Sequence, residues 1–320
     1  MIADNQPPSS SRLGGDAVAL PLNPWLRLFR LPNLLTVPGD PLAGFLIASG
    51  GCLDRSKFVP MLAVMGTSIC LYLFGLVVND IVDFEADRAE RPDRPLPSGQ
   101  ITVAQAKVAV IVMGLLGMGL ASIMGWDALG LASVLALVIY GYNRFKHIYM
   151  MGLCRMSSFL LGVVVAVPKR CIGDFPSRID ADQRTILALV TIFAYTIAFS
   201  AVAKNEMAAE KPMGFKRWMP FVVLLATLPC VLLTAGQTEG VAPTVFIILM
   251  CMALMWSWML GGMMYRLQPV PKTVAGHIRN LLLVQACLCV ATGDAGVFPA
   301  LFLFALWILF PRLAKRFYSS

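Results

Sequence analysis

The run Asn79-Asp80-Ile81-Val82-Asp83-Phe84-Glu85-Ala86-Asp87 closes an apolar stretch, Phe58 to Val78, in a chain that otherwise avoids charge. On a helix Asn79, Asp83 and Asp87 recur every four residues and share one face, with Asp80 beside them. Carboxylates crowded on one face repel each other unless a cation sits between them. Hard oxygen donors of this kind suit Mg²⁺, which keeps several waters and is completed by substrate phosphates. Arg88, Arg91 and Arg94 follow at once. Acid for metal and arginine for phosphate is the division of labour that binding a diphosphate requires. A solvated loop with helix-capping carboxylates is the plainer reading, but Glu85 and Glu90 add more negative charge than capping needs. Pro92, Pro95 and Pro97 with Gly99 stiffen the turn that follows.

Three other places carry candidate chemistry. Glu206 and Glu210 are four apart and share a helix face. Alone, such a pair reads equally well as a solvated helix end; opposite a matching acidic cluster it gains as a second set of metal ligands. Tyr142 and Lys146, also four apart, can present a hydroxyl and a cation to the same diphosphate, whereas Arg144 between them reads as a membrane-surface anchor. Arg30, Asn33 and Asp40 flank the first apolar stretch; Asn33 either orients a substrate or satisfies a broken helix start.

The elements that must position these groups are membrane spans. Of 320 residues 58% are hydrophobic and 14% charged, with a mean hydropathy of +0.74, which defines an integral membrane protein. Apolar runs of spanning length, about 17–25 residues, recur near 34–49, 58–78, 101–124, 126–142, 150–167, 185–203, 218–234, 241–263, 274–291 and 298–313. The first is interrupted by Pro38, Gly39 and Pro41, which predicts a broken or interfacial start. The fold class expected is an all-α polytopic bundle of nine to ten spans over residues 24–313. Residues 1–23 then form a polar cytoplasmic tail and 314–320 a short basic one. The polar start is unlike a signal peptide.

Lys and Arg gather in alternate loops, at Arg27/Arg30, Arg88/Arg91/Arg94, Arg144/Lys146, Lys204 to Arg217, Arg266/Lys272 and Arg312 to Arg316. The 169–184 loop, of mixed charge, departs from the pattern without reversing it. Both termini and both acidic clusters should therefore face the cytoplasm of a bacterial-type cell membrane. The net charge of +8 is explained by this topology, not by nucleic acid. The eight cysteines lack metal-ligand spacing, and two histidines are too few for a histidine metal centre.

Together these residues resemble the UbiA superfamily of intramembrane prenyltransferases. Its first motif, Asn-Asp-x-x-Asp-x-x-x-Asp followed by Arg-Pro-x-Arg-Pro-Leu-Pro-Ser-Gly, is matched by Asn79, Asp80, Asp83, Asp87 and residues 91–99; its Tyr-x-x-x-Lys by Tyr142 and Lys146. The second motif usually reads Asp-x-x-x-Asp-x-x-x-Gly, and here it is Glu206, Glu210 and Gly214. That change and Leu153-Cys154-Arg155 are similar to a divergent, EboC-like branch. The resemblance implies Mg²⁺ held by Asp80, Asp83, Asp87, Glu206 and Glu210. It implies a prenyl diphosphate bound by Asn79, Arg88, Arg94, Tyr142 and Asn33, with Asp80, Asp83, Asp87 and Lys146 in catalysis. The prenyl group would pass to a hydrophobic or aromatic acceptor among membrane lipids. Two other readings use the same residues: a lipid-binding or transport-related protein that kept the fold, and a membrane phosphohydrolase.

Overall fold

The computed structural model describes residues 23–52, 55–167, 183–204, 214–234, 240–264 and 270–318. Their regular structure is entirely helical, joined by turns. Short helices α1 (Pro24–Leu28), α2 (Leu31–Leu34) and α3 (Gly39–Ala48) precede α4 (Arg55–Val82) and α5 (Phe84–Glu90). Then come α6 (Val103–Met124), α7 (Trp126–Phe145), α8 (Ile148–Ala166), α9 (Gln183–Lys204), α10 (Met219–Thr234) and α11 (Ala242–Met259). The chain ends with α12 (Val270–Val290) and α13 (Val297–Tyr318). Among the described residues nine helices are long and apolar enough to cross a bilayer.

The first stretch read as a span is not one of the nine. Gly39–Ala48 has ten residues, about 15 Å of helix against a hydrocarbon core of about 30 Å. A turn over residues 35–38, ending on Pro38, divides the segment into two short helices, and Pro41 falls in the first turn of the second, as the interruption predicts. Residues 39 to 47 are nonetheless buried. Arg30 lies beside Asp80 at one end of the bundle, whereas Gly51 lies beside Thr292 at the other. The broken segment thus makes a complete passage. With nine continuous helices this gives ten passages, and Pro24 and Tyr318 lie at the same end.

A non-helical backbone inside a membrane needs internal hydrogen-bond partners. Thr36 supplies the test, because its carbonyl accepts from Arg155 Nη1 (3.0 Å) on α8 and from Gln285 Nε2 (2.8 Å) on α12. The same two residues grip Asp40, Arg155 Nη1 at 2.8 Å and Gln285 Nε2 at 2.6 Å. Small residues let α3 and α8 close on each other. A Cβ placed on Gly162 would stand 2.0 Å from the Pro41 carbonyl oxygen, and one on Gly44 2.1 Å from that of Phe159.

α12 is the most buried of the nine long helices, with every residue from 280 to 290 buried. The outer helices expose apolar side chains such as Ile123, Leu137 and Leu233, as lipid contact requires. His277 is a packed core residue, its Nδ1 3.1 Å from the Tyr195 hydroxyl, which also accepts from Asn280 Nδ2 at 3.0 Å. α13 continues past the expected boundary at Leu313 to Tyr318, because Pro311 does not interrupt it.

Candidate functional site

Helical hydrogen bonding continues through the join of α4 and α5. Asp83 N–H donates to Asn79 O (2.9 Å), Asp87 to Asp83 (2.8 Å) and Arg91 to Asp87 (2.8 Å). The four-residue spacing read from the sequence is therefore realised as one face. Each aspartate on it meets its own basic partner. Arg30 Nη2 is 3.0 Å from Asp80 Oδ1, Lys146 Nζ is 3.0 Å from Asp83 Oδ2, and Arg94 Nη1 pairs with Asp87 Oδ2. Lys146 also donates to Asn79 Oδ1, and Asn79 Nδ2 donates to Asp83 Oδ2 at 3.0 Å.

Arg30 (φ 45°) and Lys146 (φ 53°) are the non-glycine residues with positive φ among those described. Such backbone is costly, and it persists where the surroundings over-determine it, most often at functional sites. At Lys146 it ends α7 and turns the chain back into α8. At Arg30 it joins α1 to α2. Both strained turns deliver a cation to a carboxylate.

Arg94 is positioned by a buried turn. Leu96 and Ile101 pack with Leu28, Val77 and Ala106, and Ile101 N–H closes on Pro95 O at 3.0 Å. Gly99 takes φ 76° within this turn, which glycine alone adopts freely. Arg27 Nη2 donates to Asp93 O (3.1 Å), tying α1 to the same loop. The proline-rich motif thus places one guanidinium against Asp87.

Beneath the cluster lies a cavity of about 260 Å³ between α2, α3, α4, α7, α8, α9 and α12. Arg30, Asn33, Asn79 and Tyr142 form its mouth, and Leu135, Ile139, Met151 and Phe199 line its apolar body. Lys146 Nζ stands 5.9 Å from the Tyr142 ring centre.

Of the residues read from sequence, Asn79, Asp80, Asp83, Asp87, Arg94, Lys146, Tyr142 and Asn33 come together at this end. Arg88 does not: it is exposed and makes no ion pair among the described residues. It sits one position beyond Asp87, on a different face of α5. Glu206 and Glu210 lie outside the described residues. Two contributors were missed as site residues. The sequence shows Arg30 only as a polar flank of the first span, and the lone guanidinium of Arg155 inside an apolar span is the kind of residue that signals function in membranes. No three acidic, histidine or cysteine groups converge as a metal cage among the described residues. The donor set nonetheless fits Mg²⁺, because Asp80, Asp83, Asp87 and Asn79 offer hard oxygens on one face.

The fold and site together define a polytopic helical membrane protein with an acid–base cluster above an apolar cavity. Residues 41–272 match the UbiA prenyltransferase family, and the chain belongs to it. It is 35% identical over 149 residues to the digeranylgeranylglyceryl phosphate synthase of Methanocaldococcus jannaschii, covering 45% of this chain and 52% of that one. To the synthase of Methanoculleus marisnigri it is 27% identical over 200 residues, covering 62% and 68%. The chain spans about half the length of most such relatives it matches. The fold is shared with a UbiA homolog from Aeropyrum pernix K1 (TM-score 0.59, 14% identity, 80% of this chain and 96% of that chain). It is shared too with the Archaeoglobus fulgidus UbiA homolog bound to GPP and Mg²⁺ (TM-score 0.56, 16% identity, 86% and 99%).

Proposed function

We propose that this protein is a Mg²⁺-dependent intramembrane prenyltransferase that moves a prenyl group from a prenyl diphosphate to an apolar acceptor. The observation that carries the proposal is the pairing of Asp80, Asp83 and Asp87 with Arg30, Lys146 and Arg94 directly above an apolar cavity. Three acid–base pairs are close to neutral, so a multiply charged diphosphate gains little there without added positive charge. Mg²⁺, held by Asp80, Asp83 and Asp87 with Glu206 and Glu210, would supply that charge and stabilise the departing oxygens.

The protein's own groups do the rest. Arg30, Arg94 and Lys146 turn from carboxylate to phosphate oxygen, a like-for-like exchange of charge-assisted bonds that frees the aspartate lone pairs. The Lys146–Asp83 pair is the more open, with side chains 41% and 33% exposed, and such pairs are held weakly. Lys146 is therefore the first to exchange. Asn79 and Tyr142 orient the diphosphate at the mouth. The carbon–oxygen bond breaks with its electron pair leaving on the diphosphate; the acceptor donates a pair to the allylic carbon and loses a proton. Apolar walls at Leu135, Ile139 and Phe199 keep water from intercepting the cation.

The finer assignments are also ours. Glu206 and Glu210 in place of aspartates, with Leu153-Cys154-Arg155, support a divergent, EboC-like branch. Residues 24–313 form the enzymatic domain, its last helix running on to Tyr318, with residues 1–23 outside it. The site end carries the basic loops, which supports a cytoplasmic site in a bacterial-type cell membrane. Purified protein incubated with geranyl diphosphate should release diphosphate only with Mg²⁺ and an acceptor-containing lipid extract. Release of phosphate instead, or no release with any donor length, would overturn the proposal.

A further inference from the structure

The cavity has a second polar end that the diphosphate site does not use. Asp40, Arg155, Ser68 and Ser158 line it, with Ser158 Oγ donating to Ser68 Oγ at 3.0 Å. Along α4 the distance from Asn79 to Ser68 is about 16 Å of helical rise, and Arg155 lies about 10 Å into α8 from its start. A diphosphate held by Asp80, Asp83 and Asp87 does not reach this cluster. A prenyl chain, which has no polar atoms, has no use for it.

Arg155 is more than a strut for the broken first span. Nη1 serves Thr36 O and Asp40 Oδ2, and Nη2 serves Thr36 Oγ1 at 2.8 Å. A guanidinium has five N–H donors. Nε and one Nη2 hydrogen take no partner among the described residues, and the side chain borders the cavity. Gln285 reaches Thr36 O and Asp40 but is fully buried and does not border the cavity. Support for the backbone is thus shared by both residues, whereas donors facing the cavity belong to Arg155.

We propose that this inner cluster is the acceptor's recognition site: Arg155, with the Ser68 hydroxyl that Ser158 orients, hydrogen-bonds a neutral oxygen, a carbonyl or hydroxyl, on an otherwise apolar molecule. The inference rests on the prenyltransferase reading and names the acceptor class. Charge decides against an anionic group. Asp40 already neutralises Arg155 at 2.8 Å, so a carboxylate or phosphate entering here would leave an uncompensated buried negative charge beside Asp40. A neutral oxygen takes the spare donors without that cost, and its apolar body fits between Ile139, Met151 and Phe199.

The test uses full-length protein in detergent and two probes that share a ring system, 1-naphthamide (neutral) and 1-naphthoate (anionic), with binding measured by calorimetry. Naphthamide should bind at least tenfold more tightly than naphthoate. Arg155→Lys keeps the charge opposite Asp40 but loses the fork, and should weaken naphthamide about tenfold, the scale of a hydrogen bond to a charged group. Ser158→Ala, which asks little of folding, should weaken it severalfold. Gln285→Leu should lower thermal stability and leave naphthamide affinity unchanged. Tighter binding of naphthoate, no binding of naphthamide, an unaltered Ser158→Ala variant, or equal losses in Arg155→Lys and Gln285→Leu would overturn the site. Mg²⁺-dependent binding of geranyl diphosphate, measured on the same samples, reports on the prenyltransferase reading alone.

Discussion

At the scale of residues, the informative feature is that acid and base are matched one to one. Asp83 sits at the more exposed pair, so Asp83→Asn keeps its shape and solvation and should fold as the native protein does. Its Mg²⁺-dependent turnover should fall by about 10²-fold or more, the scale seen on removing one electrostatic stabiliser. Full turnover in that variant would remove Asp83 from the metal set. Asp87→Asn should be equally inactive and also less stable, by about 1–3 kcal/mol, because Asp87 is buried and Arg94 loses its counter-charge. Thermal melts beside activity separate the two effects. For the second motif, Glu206→Gln should slow turnover and weaken the prenyl donor together, as expected of a ligand used in ground and transition states. Raised KM with unchanged kcat would confine Glu206 to binding.

At the scale of elements, the broken first passage is held by close backbone approach and by two polar side chains from different helices. Gly162→Val puts atoms where the Pro41 carbonyl lies, and neither helix backbone yields without losing contacts along its length. The expected loss is about 2–4 kcal/mol, read as a lowered melting temperature in detergent. Gly119→Val, where a Cβ has open space, is the matched control and should change little. Equal melting of the two variants would show that the α3–α8 contact is not the limiting one.

At the scale of the whole molecule, ten passages among the described residues put Pro24 and Tyr318 on the side of the acidic cluster. Ser98 and Val241 are exposed at opposite ends of the bundle. In a cysteine-depleted background, Ser98→Cys should react with an impermeant maleimide only in inverted vesicles, and Val241→Cys only in intact cells. Labelling of both from one side would overturn the topology. Reversal of both would keep the topology and place the site outside.

The sequence by itself determined the membrane class, the nine continuous helices to within a few residues and the acidic face of α4 and α5. It also carried the family's motifs. These are local properties: hydropathy needs only a window of residues, and a four-residue spacing becomes a shared face through helical geometry alone. Tertiary structure decided which base meets which acid. Lys146 and Arg30 are 63 and 50 residues from their aspartates, and both are aimed by strained turns that no periodicity announces. It also decided that the first apolar stretch crosses as a broken segment, because the partners that satisfy its free backbone, Arg155 and Gln285, come from 119 and 249 residues away. A lone arginine in an apolar span marks a position as unusual. Only packing shows that three of its five donors hold the fold while the side chain borders a cavity.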